Sequence, residues 1–169
     1  MLTRGSRTAG LKSMTHSFEI ATDLASPPDV VWEYVTSIGG VNGELLPLLR
    51  MTVPRRLRDA TLDDLPIGKR AGRSWILLFG LIPVDYDDLT IANRGPGHRF
   101  CEESTMLTQS RWTHERSVGP SATGSRVTDR LTWQGRTFLL GAMYRAVIPI
   151  IFGHRHRRLR KRFGRLSAS

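Results

Sequence analysis

Acidic side chains run out early: no Asp or Glu follows Asp129, although forty residues remain. Nine of the 25 Lys/Arg stand from Arg136 onward, so the preceding part of the chain is close to neutral. The net charge of +10 is therefore a property of the C-terminal segment and not of a whole surface. That weighs against a domain that tracks a nucleic-acid backbone along a folded face. Cysteine is nearly missing too. The single Cys101 rules out an internal disulfide and suits a reducing, cytoplasmic compartment. Placed in a strand, it reads as an inert core or wall residue more readily than as a reactive thiol. No long uninterrupted apolar run is present either. The stretch 137–152 holds Arg145 and Pro149, which argues against a membrane span.

What remains is the make-up of a soluble globular domain, 40% hydrophobic and 24% charged over 169 residues. Residues 1–13 carry basic side chains but no apolar core of a secretory signal. They read as a disordered arm, with Met14 a candidate start. One domain then runs over 14–164, followed by a short tail, 165–169.

Periodicity orders the elements. Residues 17–24 alternate Phe18, Ile20 and Thr22 with Glu19, Ala21 and Asp23, the pattern of a half-buried strand. Ser26-Pro27-Pro28-Asp29 opens a helix with Ser26 as its cap, and Gly39-Gly40 closes it. A second short helix over about 41–46 stops before Pro47, and 51–57 is a weak strand because of Pro54. A loop over 59–69 holds a local acidic cluster. Strands are expected over 73–81, 84–93, 98–107, 109–118 and 125–133, with turns at Ile82-Pro83, Gly95-Pro96-Gly97 and 119–124. Short turns force antiparallel pairing.

The last element is a helix over about 137–163. Its first part, TFLLGAMYRAVIPIIF, is apolar on nearly every face, so it needs cover around most of its girth, and the strands are the available cover. Pro149 and Gly153 are expected to kink it and to turn its basic end away from the sheet.

Two phrases sharpen this order: Ser26-Pro-Pro-Asp-Val-Val-Trp-Glu-Tyr-Val just after the first strand, and Gly124-Ser-Arg-Val-Thr-Asp-Arg-Leu-Thr-Trp just before the last helix. With the strands between them, they resemble the START-like superfamily, the helix-grip group of polyketide cyclases/dehydrases, lipid-transfer domains and pollen-allergen-type proteins. The resemblance spans about 15–164. It implies an α+β fold in which a curved seven-stranded antiparallel sheet grips the C-terminal helix around an apolar cavity. It does not fix an activity, because one fold hosts many. No residue set matches a catalytic motif of an enzymatic branch, and no cofactor is implied.

Strand parity nominates the polar groups of such a cavity. In 109–118 the better apolar face is Trp112, His114, Arg116 and Val118; in 125–133 it is Val127, Asp129, Leu131 and Trp133. If both faces point inward, His114 and Asp129 enter the grip with Arg116 as counter-ion. They then serve as a structural ion pair, as ligand-orienting groups or as an acid–base pair. Trp75, Phe79, Tyr86, Phe100 and Met106 are candidate cavity wall, together with Trp112, Leu131, Met143 and Val147. Tyr86 is a further candidate for handling protons, since its hydroxyl needs a partner if buried. Asp85, Asp87 and Asp88 span both faces of one strand with no His or Cys nearby. They read as solvated acids and not as a metal site.

The segment His154-Arg-His-Arg-Arg-Leu-Arg-Lys-Arg-Phe is the densest feature. Its histidines, two apart, do not share a helical face, which disfavours a zinc pair. Arg155, Arg157, Arg158, Arg160, Lys161 and Arg162 oppose the negative helix end, and their number exceeds that need. They are candidate contacts to an anionic membrane surface, placing the protein peripherally on a bilayer, with nucleic acid the less favoured polyanion. The main expectation is a carrier of a small hydrophobic or amphipathic ligand, a lipid or a polyketide-like molecule, bound between sheet and helix. A cyclase/dehydrase-type enzyme and a membrane or nucleic-acid interaction module are the alternatives. In the carrier, the loop around 59–68 and the turn at 80–83 move to admit the ligand. Oligomeric state is not readable from the chain.

Overall fold

A computed structural model describes residues 14–57, 61–122 and 124–164. The expected arm over 1–13 and tail over 165–169 lie outside the described residues. The elements run β1 (Thr15–Leu24), α1 (Pro28–Val35), α2 (Ile38–Leu45), β2 (Leu49–Met51), β3 (Arg70–Leu78), β4 (Ile82–Gly95), β5 (His98–Met106), β6 (Gln109–Ser121), β7 (Gly124–Gly135) and α3 (Phe138–Phe163), with 3-10 turns at Arg55–Leu57 and Leu62–Asp64. The described strands form one antiparallel sheet in the order β1-β7-β6-β5-β4-β3-β2. From β3 to β7 consecutive strands pair as hairpins, β2 pairs with β3 across a longer connection, and β1 closes on β7 over its whole length, Thr15 opposite Gln134 to Leu24 opposite Ser125. Register shifts between β3 and β4, β4 and β5, and β6 and β7 accompany the curl of this half-barrel. This is the α+β helix-grip architecture.

Local chemistry corrects several boundaries. Gly39 and Gly40 do not end a helix; they lie inside α2, whose start is capped by Ser37, its hydroxyl accepting from Gly40 N at 2.9 Å. Pro27, not Ser26, occupies the N-cap of α1, and Ser26 Oγ faces the Phe163 carbonyl at the far end of α3. The weak strand over 51–57 shrinks to β2, which ends before Pro54. The turn between β3 and β4 lies at Phe79-Gly80, both with left-handed φ (52° and 74°), so Ile82 and Pro83 belong to the strand.

The helix is one element from Phe138 to Phe163, with Pro149 inside it. Gly135 and Gly141 let its first turn sit against the end of β7, since a Cβ on Gly135 would lie 2.2 Å from Gly141 N. The basic end does not leave the sheet. Leu159 is fully buried in a cluster with Leu24, Val31, Val35, Val118 and Val127, and Phe163 packs on its edge. Ile148 and Phe152 join Trp112, Leu131 and Trp133 in a second cluster. The expectation of cover around most of the helix also fails, because Leu139, Met143 and Ile150 on its outer face are exposed.

Candidate functional site

Between α3, the inner face of β3–β6 and the segment from α2 to Leu65 lies a cavity of about 530 Å³. Aliphatic and aromatic side chains dominate its wall, among them Leu45, Leu62, Ile76, Leu89, Ile91 and Ile151. Phe79, Val84, Met143 and Ile150 line it while remaining exposed, so they mark its mouth. Of the residues nominated from sequence, Phe79, Phe100, Met106, Trp112, His114, Met143 and Val147 line this space. Asp129 and Leu131 face inward but are buried beneath α3, behind the wall.

Trp75 and Tyr86 do not reach the cavity. Between Ser74 and Ile76, which line it, Trp75 points to the outer face of the sheet, where it meets Tyr86 edge-on at 5.8 Å. Arg73 stacks over the Tyr86 ring at 3.8 Å. Tyr86 is therefore removed from the proton-handling candidates. Cys101 likewise alternates outward between Phe100 and Glu102; it is neither core nor cavity wall, and burial pushes its thiol upward.

Behind and within the wall sits a buried polar network. Asp129, with no exposed surface, accepts from Arg116 Nε at 2.7 Å and Nη2 at 2.8 Å, from His114 Nε2 at 2.8 Å and from His156 Nε2 at 2.9 Å. Arg116 also gives a two-point contact to Glu44 at 2.8 and 2.9 Å, and Arg155 Nε donates to the same carboxylate at 2.9 Å. Each buried charge thus meets an opposite one in close geometry, the condition under which such groups are tolerated. Burial alone would raise the Asp129 carboxyl, but Arg116 and the hydrogen bonds from His114 and His156 hold it well below the usual range.

His114 is the member that reaches the cavity. Burial disfavours its charged form, yet Asp129 and Glu102 outweigh that and raise its pKa. Glu102 Oε2 lies 3.8 Å from His114 Nδ1, too far for a hydrogen bond, while Glu102 Oε1 accepts from Ser104 Oγ at 2.9 Å. Burial would raise Glu102 as well, and His114 above all keeps it low. Next to it, Asp87 is driven well above the carboxylate range by burial and then by Glu102. A second polar set breaks the wall elsewhere: Tyr144 OH donates to Asp85 Oδ2 at 2.6 Å, and the Thr108 hydroxyl bonds both. Burial first, then the Asp85 bond, pushes the Tyr144 phenol upward.

Asp85 and Asp87 are thus inward and buried, not solvated. Only Asp88 of that trio faces outward, bound to Arg70 and Arg73 and lowered to about 2, by Arg73 most. Among the described residues, no group of three or more His, Cys, Asp or Glu is placed to hold a metal ion. Reading sequence alone overlooked Glu44, Glu102 and Tyr144, and set aside Asp85, Asp87 and His156 after weighing them only as metal ligands. Strand parity carries a signal for three of them: Asp85 and Asp87 alternate in step with Leu89 and Ile91, and Glu102 with Phe100 and Met106.

The basic end is also reassigned. Arg155 is buried on Glu44, so it is not a surface contact. Arg158 Nε donates to the Gly43 carbonyl, Arg160 to Thr22, and Arg162 lies 4.2 Å over the Tyr34 ring. Of the set, Arg157, Arg158, Lys161 and Arg162 are exposed, and Arg158 and Arg162 are at the same time engaged as just described.

A curled antiparallel sheet gripping a terminal helix, with a mostly apolar cavity between, is the helix-grip fold. Residues 22–163 match the family described as a domain of unknown function, DUF8410, and the chain belongs to that family. No curated protein matches it in sequence. Solved structures share the fold. A START superfamily protein from Mycobacterium smegmatis is 9% identical, with a TM-score of 0.60 over 88% of this chain and 96% of that one. The Zhui aromatase/cyclase from Streptomyces sp. R1128 is 11% identical, with a TM-score of 0.62 over 88% and 93%. Norcoclaurine synthase from Thalictrum flavum is 11% identical, with a TM-score of 0.61 over 90% and 96%. No helix among the described residues is long and apolar enough to cross a membrane.

Proposed function

We propose that the protein holds one small hydrophobic or amphipathic molecule between sheet and α3, as a reversible carrier. The observation that carries this reading is the cavity itself: about 530 Å³, walled by apolar side chains and interrupted by a few convergent polar groups. That volume falls in the usual range for small-molecule sites, roughly 300–1,000 Å³. Apolar burial supplies the driving force, and orientation comes from His114, Glu102 and Arg155 along one stretch of wall. A ligand oxygen accepting from His114 Nδ1 gives that N–H the close partner that Glu102, at 3.8 Å, does not. Native mass spectrometry of protein purified without added ligand tests the reading. A bound apolar or amphipathic species supports it; protein that stays empty after incubation with a lipid extract overturns it.

One observation favours an enzymatic reading of the cyclase/dehydrase kind as the alternative. His114 lines the cavity with Asp129 fixing its far nitrogen, an arrangement suited to a general acid. Turnover of a polyketide-like substrate that is lost in His114→Gln, with binding retained, would select this alternative.

A further inference from the structure

The outer face of α3 is the wrong way round for a helix that ends in water. At helical spacing it carries Leu139, Met143, Ala146 and Ile150, and then Arg157 and Lys161, all of them exposed. Leu139 and Ile150 are 75% and 63% exposed. Across the cavity mouth, the β3–β4 turn presents a matching set. Phe79 and Leu81 are 61% and 81% exposed, and Ile82 and Val84 follow. The two sets are joined by the segment after α2, where Phe79 N donates to Leu48 O and His154 Nε2 bonds Leu46 O, both at 2.9 Å. Single exposed apolar residues need no explanation, but a continuous set around a cavity mouth does.

Charge on this rim has one sign. Residues 45–54, 75–84 and 136–163 contain no Asp or Glu. The acids that flank them, Glu44 and Asp85, are buried. Arg50, whose side chain lies along Gly80, Arg157 and Lys161 are exposed. A second copy of the chain is a poor match for such a face, because a two-fold interface would bring arginines towards arginines. An anionic lipid surface suits both parts: headgroups meet the cations, and the acyl boundary takes Phe79, Leu81, Leu139 and Ile150.

We infer that the protein docks on anionic bilayers through the rim of its cavity, with the β3–β4 turn and the outer face of α3 entering the interface and the mouth facing the lipid. The contact is thus centred on the mouth, with Arg157 and Lys161 continuing the same helix face, and it does not use the buried Arg155. This inference needs no occupant in the cavity, so it stands or falls apart from the carrier reading.

Co-flotation with phosphatidylcholine vesicles, with and without phosphatidylglycerol, tests it. Wild-type protein should float with the phosphatidylglycerol vesicles and not with phosphatidylcholine alone, and added salt should release it. Leu81→Asp, Leu139→Asp and Ile150→Asp should each weaken retention by about tenfold or more, and so should the pair Arg157→Glu and Lys161→Glu. These side chains project into solvent, so far-UV circular dichroism and melting should stay as in wild type. Arg130→Glu, a charge change on the outer sheet face, should alter retention by no more than about twofold. The inference is overturned if wild type ignores phosphatidylglycerol vesicles, or if the apolar variants float as well as wild type. A dimer in light scattering that Ile150→Asp dissolves, without vesicle binding, overturns it in favour of a contact between copies.

Discussion

His156 Nε2 and Asp129 Oδ2 stand 2.9 Å apart with both side chains fully buried, and this pair fastens the basic third of α3 to β7. Together with the Arg155–Glu44 pair, it is why the helix continues over the sheet past Pro149 instead of turning away. Asp129 also serves His114 and Arg116, so one carboxylate on β7 sets the orientation of three cationic or imidazole side chains, two from β6 and one from α3. Asp129→Asn keeps the shape and removes the charge. It leaves Arg116 to share Glu44 with Arg155, so one buried positive charge loses its counter-ion, and breaking a buried pair in this way costs about 3–5 kcal/mol. The expected outcome is a loss of that order in urea denaturation at neutral pH, with an unchanged m-value. A loss below about 1 kcal/mol would mean that the network relaxes around the change.

Asp87 presents the opposite sign. Its pKa is raised in the folded state, so the unfolded chain ionises first as pH rises. Stability from this residue is present in full below the unfolded carboxylate pKa and is lost progressively above it. Asp87→Asn removes the penalty while retaining a donor toward Glu102. Its melting midpoint should exceed that of wild type by several degrees at pH 7 and equal it near pH 3. Equal midpoints at both pH values would show that Asp87 ionises as freely in the folded protein as in the unfolded one.

How much of this was legible beforehand depends on the kind of signal. Parity along β6 and β7 correctly put His114, Arg116 and Asp129 on the inner face, because an antiparallel strand with one buried side has only two choices. The same rule misplaced Trp75 and Tyr86. Aromatic character outweighed their neighbours there, while the small Ser74 and the acid Asp87 hold the inward positions. Glu44 and His156 were not legible by any local rule. Each lies far from its partners in sequence, 72 residues in the Glu44–Arg116 pair and 27 in the His156–Asp129 pair, and only the folded packing brings them together. Composition failed in a second way at α3. A helix apolar on nearly every face was read as covered around most of its girth, whereas Leu139 and Ile150 face outward.

The buried network also sets a pH window for stability. The raised His114 pKa means that its contribution is complete below the unfolded imidazole value and disappears as pH rises through the folded value. Asp129 is depressed, so its contribution is present above the unfolded carboxylate pKa and disappears as pH falls through the folded one. Wild type should therefore lose stability on both sides of a plateau. His114→Gln should shrink the alkaline limb to the part that Asp87 contributes and leave the acid limb in place. An alkaline limb that is unchanged in the variant would assign it to another group.

Filling the cavity separates its use from its role in the fold. Val147 lines the space from α3 and is only partly buried, so a larger side chain there grows into empty volume and not into packed core. Val147→Trp should keep the melting midpoint within a few degrees of wild type, because no buried polar partner is disturbed and added apolar contact offsets modest strain. The same variant should lose most of any co-purifying molecule in native mass spectrometry, since an indole occupies a substantial share of about 530 Å³. Retention of the molecule at wild-type levels would place the binding site elsewhere on the protein. A large fall in the midpoint would mean instead that α3 already packs tightly at this turn.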